Sequence, residues 1–289
     1  MRSPRSLAGR TGGEERHDIL SQFAASMLAA GIETDEPIIA DGTLHRFHIG
    51  GQKRGSMNGA YVLHMDGIPA GWFMDFQTGF KTTWRANGNF KPIEVDPDAK
   101  RRRREAANDA ARAAAAIAQR TWESSSVCQG HPYLDKKSVR PDPILRVTPR
   151  GNLVVPIWDV DGRWLSLQAI TANGRKQFLR GGRIAGGMCW LGTYAGDFWI
   201  AEGLATGLSI QQATEDTVFV AFTCKNLRSV ATSIRDCFPD RRIIIASDND
   251  ATPGNPGRQA AEAAAEAVDG LVAIPPHFGD WNDHLEAAA

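Results

Sequence analysis

Phe198-Trp-Ile-Ala-Glu-Gly-Leu-Ala-Thr-Gly207 and Arg242-Ile-Ile-Ile-Ala-Ser-Asp-Asn-Asp250 share one plan: a short apolar run that stops at a carboxylate. They belong to a longer alternation. Phe198–Ala201, Thr217–Phe222, Arg242–Ser247 and Leu271–Ile274 are short apolar runs, and stretches of helical character, Leu204–Thr214, Lys225–Phe238 and Pro256–Val268, lie between them. Continuous apolar strands separated by helices predict an α/β fold, a parallel sheet with helices on both faces and right-handed crossovers. In such sheets the ligand site forms beyond the carboxyl ends of the strands. Glu202 follows the first run, and Asp248 and Asp250 follow the third. Residues two apart in extended chain point to the same side, so the two aspartates can aim at one point. Two carboxylates about 4 Å apart repel by about 4 kcal/mol at an effective dielectric of 20, so a converged trio calls for a cation. Ligands that offer only oxygen select a hard ion, Mg²⁺ or Mn²⁺. A lone Asp-x-Asp reads as a turn; with Glu-Gly at a second strand end of the same unit, it points to a metal site.

Upstream, Asn152–Trp158 and Trp164–Ile170 flank Asp161-Gly162, a hairpin signal. Asn173-Gly174 then turns into a stretch holding Arg175, Lys176, Arg180 and Arg183 among glycines, which let a backbone approach phosphate closely. Lys100 to Arg104 opens an Ala-rich run to Glu123, a long basic helix by propensity. Ile19, Phe23, Met27 and Ala30 fall at helical spacing before Gly31, and Ala60–Gly67 with Ile68–Phe76 reads as another hairpin. Five regions follow: a disordered tail at 1–16, a small α+β module at 17–95, a basic linker helix at 96–126, a β-rich basic subdomain at 127–195, and the α/β unit at 196–289.

Across 289 residues, 33 basic and 33 acidic side chains cancel, so no global charge advertises a polyanionic partner. The halves differ: residues 1–150 hold 22 basic and 17 acidic groups, and the rest 11 and 16. A basic half joined to a carboxylate-rich half suits polyanion handling with metal chemistry. The hydrophobic fraction of 42% supports a real core. No apolar run approaches the roughly 20 residues that span a bilayer, and the basic N-terminus lacks the apolar stretch of a signal peptide. A cytoplasmic location is expected. The four cysteines show no CxxC spacing, and Cys128 with His131 makes a CxxH half-site with no second half, so free thiols are expected. There is no GxxxxGK[ST], no GxGxxG after a strand and no GxSxG, which argues against a P-loop motor, a dinucleotide dehydrogenase and a serine hydrolase.

Ala201-Glu-Gly-Leu-Ala-Thr-Gly207, Ile245-Ala-Ser-Asp-Asn-Asp250 and Asp280-Trp-Asn-Asp283 resemble the Toprim domain of topoisomerases and primases. His131-Pro-Tyr-Leu, Leu153-Val-Val-Pro, Ser166-Leu-Gln, Phe178-Leu-Arg-Gly-Gly and Ala221-Phe-Thr-Cys-Lys-Asn-Leu227 look like the primase-type Toprim proteins of plasmids, phages and integrative elements. So does the N-terminal module, with Leu44-His-Arg-Phe and Tyr61-Val-Leu-His. The resemblance implies a metal-dependent nucleotidyltransferase that makes short primers on single-stranded DNA from nucleoside triphosphates. It implies Glu202 as general acid/base or metal ligand, Asp248 and Asp250 as metal ligands, and Asp280 with Asp283 as a further acidic cluster. Arg175, Lys176, Arg180, Arg183 and Lys225 become candidates for template and nucleotide phosphates. A replicative helicase is an implied partner; a membrane is not. Trp72, Trp84 and Trp190 are candidates for base stacking or for ordinary packing. Two departures stand out: Thr206 occupies a position often held by Asp in replicative primases, and no zinc ribbon precedes the core. A Toprim nuclease and a noncatalytic single-strand-binding or helicase-partner module are the alternatives. A type I topoisomerase is disfavoured, because Tyr61, Tyr133 and Tyr194 all precede the Toprim core.

Overall fold

The computed structural model describes residues 12–87, 97–249 and 255–288. The chain divides into two units, Met1–Arg103 and Arg104–Ala289. In the first, helix α1 (Gly12–Ala29) buries Ile19, Phe23 and Met27, the apolar stripe expected from their spacing. It starts at Gly12, so residues 12–16, expected in the disordered tail, are helical; residues 1–11 lie outside the described ones. Strands β1 (His45–Phe47), β2 (Gly59–His64), β3 (Ala70–Asp75) and β4 (Lys81–Arg85) form an antiparallel meander in that order. Phe23 meets Tyr61, Phe73 and Trp84 edge-on, with ring centroids 5.1 to 5.7 Å apart, which seats α1 on the sheet.

The second unit takes in helix α2 (Pro97–Glu123) from Arg104 onward. Its far half is not a free linker. Ala114 and Ala118 are buried, Ala118 packs with Val154 and Leu167, and Trp122 Nε1 donates to Ile144 O at 2.8 Å. Alanine's small side chain lets the helix approach closely without the bulky stripe that would have betrayed the contact in sequence. Then come β5 (Ser126–Val127), the short helix α3 (Pro132–Lys136), β6 (Arg146–Val147), β7 (Leu153–Trp158), β8 (Trp164–Ile170) and β9 (Lys176–Phe178). These five strands make an antiparallel sheet in chain order, with β9 at an edge and the expected hairpin as β7–β8.

The last sheet runs β10 (Cys189–Leu191), β12 (Thr217–Val220), β11 (Phe198–Ala201), β13 (Ile243–Ala246), β14 (Leu271–Ala273). Its four later strands are parallel, but β10 is antiparallel to β12, so the sheet is mixed rather than purely parallel. Cys189–Leu191, expected in the β-rich region, therefore pairs within the C-terminal sheet; a Trp158–Met188 bridge delivers the chain to that edge from the preceding sheet. Alternate strand residues face opposite layers. Ala201, Val218 and Val220 pack with Leu204 and Leu208 of helix α4 (Leu204–Thr214). On the other face Phe198, Ile200, Ile243 and Ile245 pack with Val230 and Ile234 of α5 (Leu227–Cys237) and with Ala261 and Ala264 of α6 (Pro256–Glu266). Helix α7 (Trp281–Ala288) ends the chain, and Trp281 Nε1 donates to Ala273 O at 3.3 Å. Among the described residues no helix is long and apolar enough to cross a membrane.

Candidate active site at the carboxyl ends of the parallel strands

Strands β11 and β13 are parallel neighbours with Ala201 opposite Ala246, so Glu202 and Asp248 leave adjacent strand ends, about 4.8 Å apart across the ladder. Both are partly buried. Helix α4 begins two residues after Glu202, and the positive end of its dipole favours a carboxylate there. Asp250 lies outside the described residues. Asn249 is the link to the third acid. It exchanges backbone hydrogen bonds with Gly279 (2.9 and 3.1 Å), and its Nδ2 donates to Pro275 O and His277 O, both at 3.1 Å. That clamp holds the 275–279 segment against the end of β13 and so brings Asp280 to the acidic strand ends.

Asp280 and Asp283 also cap α7 reciprocally. Asp283 N donates to Asp280 Oδ1 at 2.9 Å, and Asp280 N to Asp283 Oδ2 at 3.4 Å. Lys137 Nζ stands 3.7 Å from Asp280 Oδ2 and 3.7 Å from Asp283 Oδ1. Asp283, 60% exposed, is thus a capping residue and a partner of Lys137. Asn282 completes the motif: almost fully buried, its Nδ2 donates to Lys137 O at 2.7 Å and Ser209 Oγ at 2.8 Å.

Lys176, on edge strand β9, faces the same acids. It keeps contact with solvent, yet surrounding protein desolvates its ammonium and, with Lys137, lowers its pKa; Glu202, Asp280 and Asp248 oppose that shift. All three carboxylates thus act on the charge of Lys176. The Nζ lies 5.7 Å from the centroid of the Tyr133 ring, which lines the site beneath it. Tyr133 is buried, and its hydroxyl faces the Ala205 backbone. Burial, then the charge on Asp280, pushes its pKa up to about 12, so it is a neutral phenol and an unsuitable nucleophile at neutral pH. Thr206, where replicative primases often carry Asp, is buried in the first turn of α4.

The other expected cations are placed unequally. Lys225, exposed in the 3₁₀ turn Cys224–Asn226, follows the carboxyl end of β12, at the same edge of the sheet as Glu202 and Asp248. Arg175 is exposed beside Lys176, whereas Arg180 and Arg183, both exposed, lie farther along the edge. Sequence reasoning missed how this basic loop is held. Asn226, 5% exposed, donates from Nδ2 to Ile184 O (3.2 Å), Gly187 O (2.8 Å) and Ala221 O (2.9 Å), and its Oδ1 accepts from Gly186 N at 2.8 Å. Phe222, just upstream, holds φ at 68°, an unusual conformation for a bulky residue. Its ring meets Phe178 of β9 edge-on at 6.1 Å, tying the basic edge to the strand ends.

Other sequence candidates have structural duties. His131 Nε2 donates to Gly151 O at 3.0 Å and Nδ1 accepts from Tyr133 N at 3.2 Å, which occupies both ring nitrogens and leaves the CxxH pair no metal role. Burial raises the Cys128 thiol pKa. Trp84 packs on Phe23, Lys81 sits 4.8 Å over Trp72, and Trp190 lies 4.5 Å from Trp158.

Of the five expected carboxylate ligands, four lie among the described residues: Glu202, Asp248, Asp280 and Asp283. Among the described residues no three of His, Cys, Asp and Glu lie close enough to share an ion, because Asp283 is drawn into the α7 cap and both it and Asp280 face Lys137. The donor chemistry at the strand ends still suits a hard cation: Glu202 and Asp248 offer only oxygen.

Residues 197–289, which hold β11 to β14 and helices α4 to α7, match the family model for the Toprim domain. Over 280 residues the chain is 32% identical to a DNA primase TraC of Escherichia coli, covering 88% of this chain and 19% of the relative. A second DNA primase TraC of Escherichia coli is 34% identical over 281 residues, again 88% of this chain and 26% of the relative. The chain thus spans about a fifth to a quarter of the length of these curated relatives. Among solved structures, the catalytic core of DnaG is 13% identical with a TM-score of 0.41, covering 63% of this chain and 76% of that one. The primase fragment of the bacteriophage T7 primase-helicase protein is 19% identical with a TM-score of 0.38, covering 57% and 69%.

Proposed function

We propose that this chain is the catalytic core of a DNA primase of a mobile element, a nucleotidyltransferase that makes short primers on single-stranded DNA. The observation that carries the reading is that Glu202 and Asp248 leave the adjacent carboxyl ends of the parallel strands β11 and β13, with the charge of Lys176 in their field. The likeness to two DNA primases across 88% of the chain supports it. A divalent ion, Mg²⁺ or Mn²⁺, would be held by Asp248 and Asp250 with help from Glu202, and when bound it supplies charge neutralisation for a triphosphate. Lys176 and Lys225 orient the phosphates from two sides. The primer 3′ oxygen attacks the α-phosphorus, the α–β phosphoanhydride bond breaks, and pyrophosphate leaves. Glu202 would accept the hydroxyl proton. Nucleoside triphosphates and single-stranded DNA are the substrates, a replicative helicase is the proposed partner, and the cytoplasm the proposed location.

The test is primer synthesis on circular single-stranded DNA with labelled ribonucleotides and Mg²⁺ or Mn²⁺. Asp248→Ala/Asp250→Ala and Glu202→Gln are expected to lose at least about 100-fold in product while binding the template normally. Template degradation abolished by the same substitutions would make the protein a nuclease. Intact binding with no product from any form would make it a noncatalytic module.

A further inference from the structure

A cavity of about 300 Å³ opens where α2 crosses the start of β8, bounded by Asn108, Arg112, Ala115, Trp164, Leu165 and Arg183. That is the low end of small-molecule pocket volumes, room for one flat ring rather than an extended ligand. Asn108, Arg112 and Ala115 fall on one face of α2, and Arg104 continues that stripe by one turn. Trp164 is partly buried, and neither neighbouring indole stacks flat on it: Trp122 is tilted 58° at 5.8 Å and Trp158 stands at 66° and 5.2 Å. Arg112 and Arg183 line the same cavity as the ring. Arg183 is exposed and makes no ion pair among the described residues; Arg112 is exposed and pairs with Asp109.

The slot is joined to the acidic site by charge. Ile170 pairs with Lys176, and Trp164 lies six residues back along β8, about 20 Å at strand rise. Arg180 and Arg183 lie along that edge, and Gly182 crosses Ser166 so closely that a Cβ there would fall 2.1 Å from its hydroxyl oxygen. Cations spaced between an acidic centre and an aromatic slot suit a phosphodiester backbone with one base unstacked into the slot.

We propose that Trp164, Arg112, Arg183 and Asn108 form a base-stacking slot that anchors the single-stranded template about 20 Å from Lys176. Trp164 takes the base, Arg112 and Arg183 take the phosphates on either side, and the Asn108 amide faces the base edge. This rests on the reading of single-stranded DNA as the template, but its test needs no synthesis.

The full chain is mixed in EDTA with an oligothymidine 20-mer carrying one 5-iododeoxyuridine and is irradiated. Trypsin cuts after Arg163 and Arg175, and the released peptide Trp164–Arg175 has Trp164 as its single aromatic residue. The crosslink is expected on that peptide. Arg112→Ala/Arg183→Ala, at two exposed positions, is expected to lose the crosslink and to flatten the slope of log affinity against log salt by about 1.4, two contacts at roughly 0.7 each. Trp164→Leu should bind about tenfold more weakly. Crosslinks confined to other peptides, an unchanged salt slope in the double variant, or no binding by the wild type would each overturn the slot. If the crosslink forms but no primers are made by any form, nucleotidyl transfer fails and the slot stands. If Asp248→Ala/Asp250→Ala abolishes synthesis while the arginine variant binds as wild type does, the slot alone fails.

Discussion

Asn226 holds the basic loop to the Toprim sheet with four hydrogen bonds at a position only 5% exposed, so its replacement has a calculable cost. Asn226→Ala removes the partners of three carbonyls and one amide. Ile184 O, at 3.2 Å, is the weakest of the four, and the two Nδ2 protons are shared among three carbonyls, so not every bond counts in full. At about 1 kcal/mol for each net bond, and more for a group left buried and unpaired, the loss comes to about 3 kcal/mol. Asn226→Asp is the sharper variant. It keeps the acceptor for Gly186 N but turns a carboxylate toward three carbonyl oxygens, so the folded-state pKa of the new group is raised above about 3.9. A raised pKa places the stabilising form at low pH. The variant is least stable above its folded pKa and regains stability as pH falls toward about 4. Urea unfolding followed by tryptophan fluorescence measures both effects, at pH 8 and at pH 5. Trypsin supplies a local readout, because Arg180 and Arg183 are exposed in the loop that Asn226 holds: cleavage there should accelerate in native buffer. A loss below about 1 kcal/mol with unchanged cleavage would refute the claim that this side chain holds the loop.

Lys176→Met should leave the thermal midpoint no lower than wild type, because desolvation and Lys137 disfavour the charge that the acids welcome. Its KM for nucleoside triphosphates should rise about tenfold, the usual scale for one charge-assisted contact; a fall in midpoint with KM unchanged would contradict this. Gly207→Ala gains about 1 kcal/mol of helix propensity. Its new Cβ would lie 2.9 Å from Val220 Cγ2 and 3.3 Å from Leu191 Cδ1, so overpacking wins and calorimetry should show a net loss of about 1 kcal/mol. In the first unit, the His45 side chain and then the Thr43 amide hold the Asp41 carboxyl at a pKa of about 2. A lowered pKa gives stability that is present above the ordinary 3.8 and is lost as pH falls through about 2. Asp41 is exposed, so the pair contributes under about 1 kcal/mol, and Asp41→Asn should flatten the acid limb of the urea midpoint by that amount.

Elements whose signals are local were legible. The β7–β8 hairpin, the stripe of α1, helix α4 and the four parallel strands announce themselves within a dozen residues each, because apolar period and turn glycines act at short range. Strand β10 did not, since Cys189-Trp-Leu191 is too short to show a period and its partner β12 lies well downstream. The packing of α2 was hidden for the opposite reason: a stripe of alanine has little hydrophobic contrast, although it permits the closest approach.

The site divides along the same line. Glu202 and Asp248 were legible because a strand that ends at a carboxylate presents it at the sheet's carboxyl edge, wherever the rest of the chain goes. What gathers other groups around them depends on distant partners. Lys137 reaches the acids because Asn282, 145 residues away, takes its carbonyl; Asp280 arrives because Asn249 clamps Gly279; the basic loop is held by Asn226. Each of these asparagines sits inside a motif read for its charged neighbours: Asp248-Asn-Asp250, Asp280-Trp-Asn-Asp283 and Lys225-Asn226. Asparagine in a loop usually marks a turn, and its local hydrogen bonds make that reading sufficient. Burial separates the two roles. Asn226 and Asn282 are at most 5% exposed, so their Nδ2 groups must find acceptors inside the protein, and they find them on segments that carry the cations. The carboxylates can be read as the chemistry of this site, and the buried amides as the scaffold that holds Lys137, Asp280 and the basic loop around it.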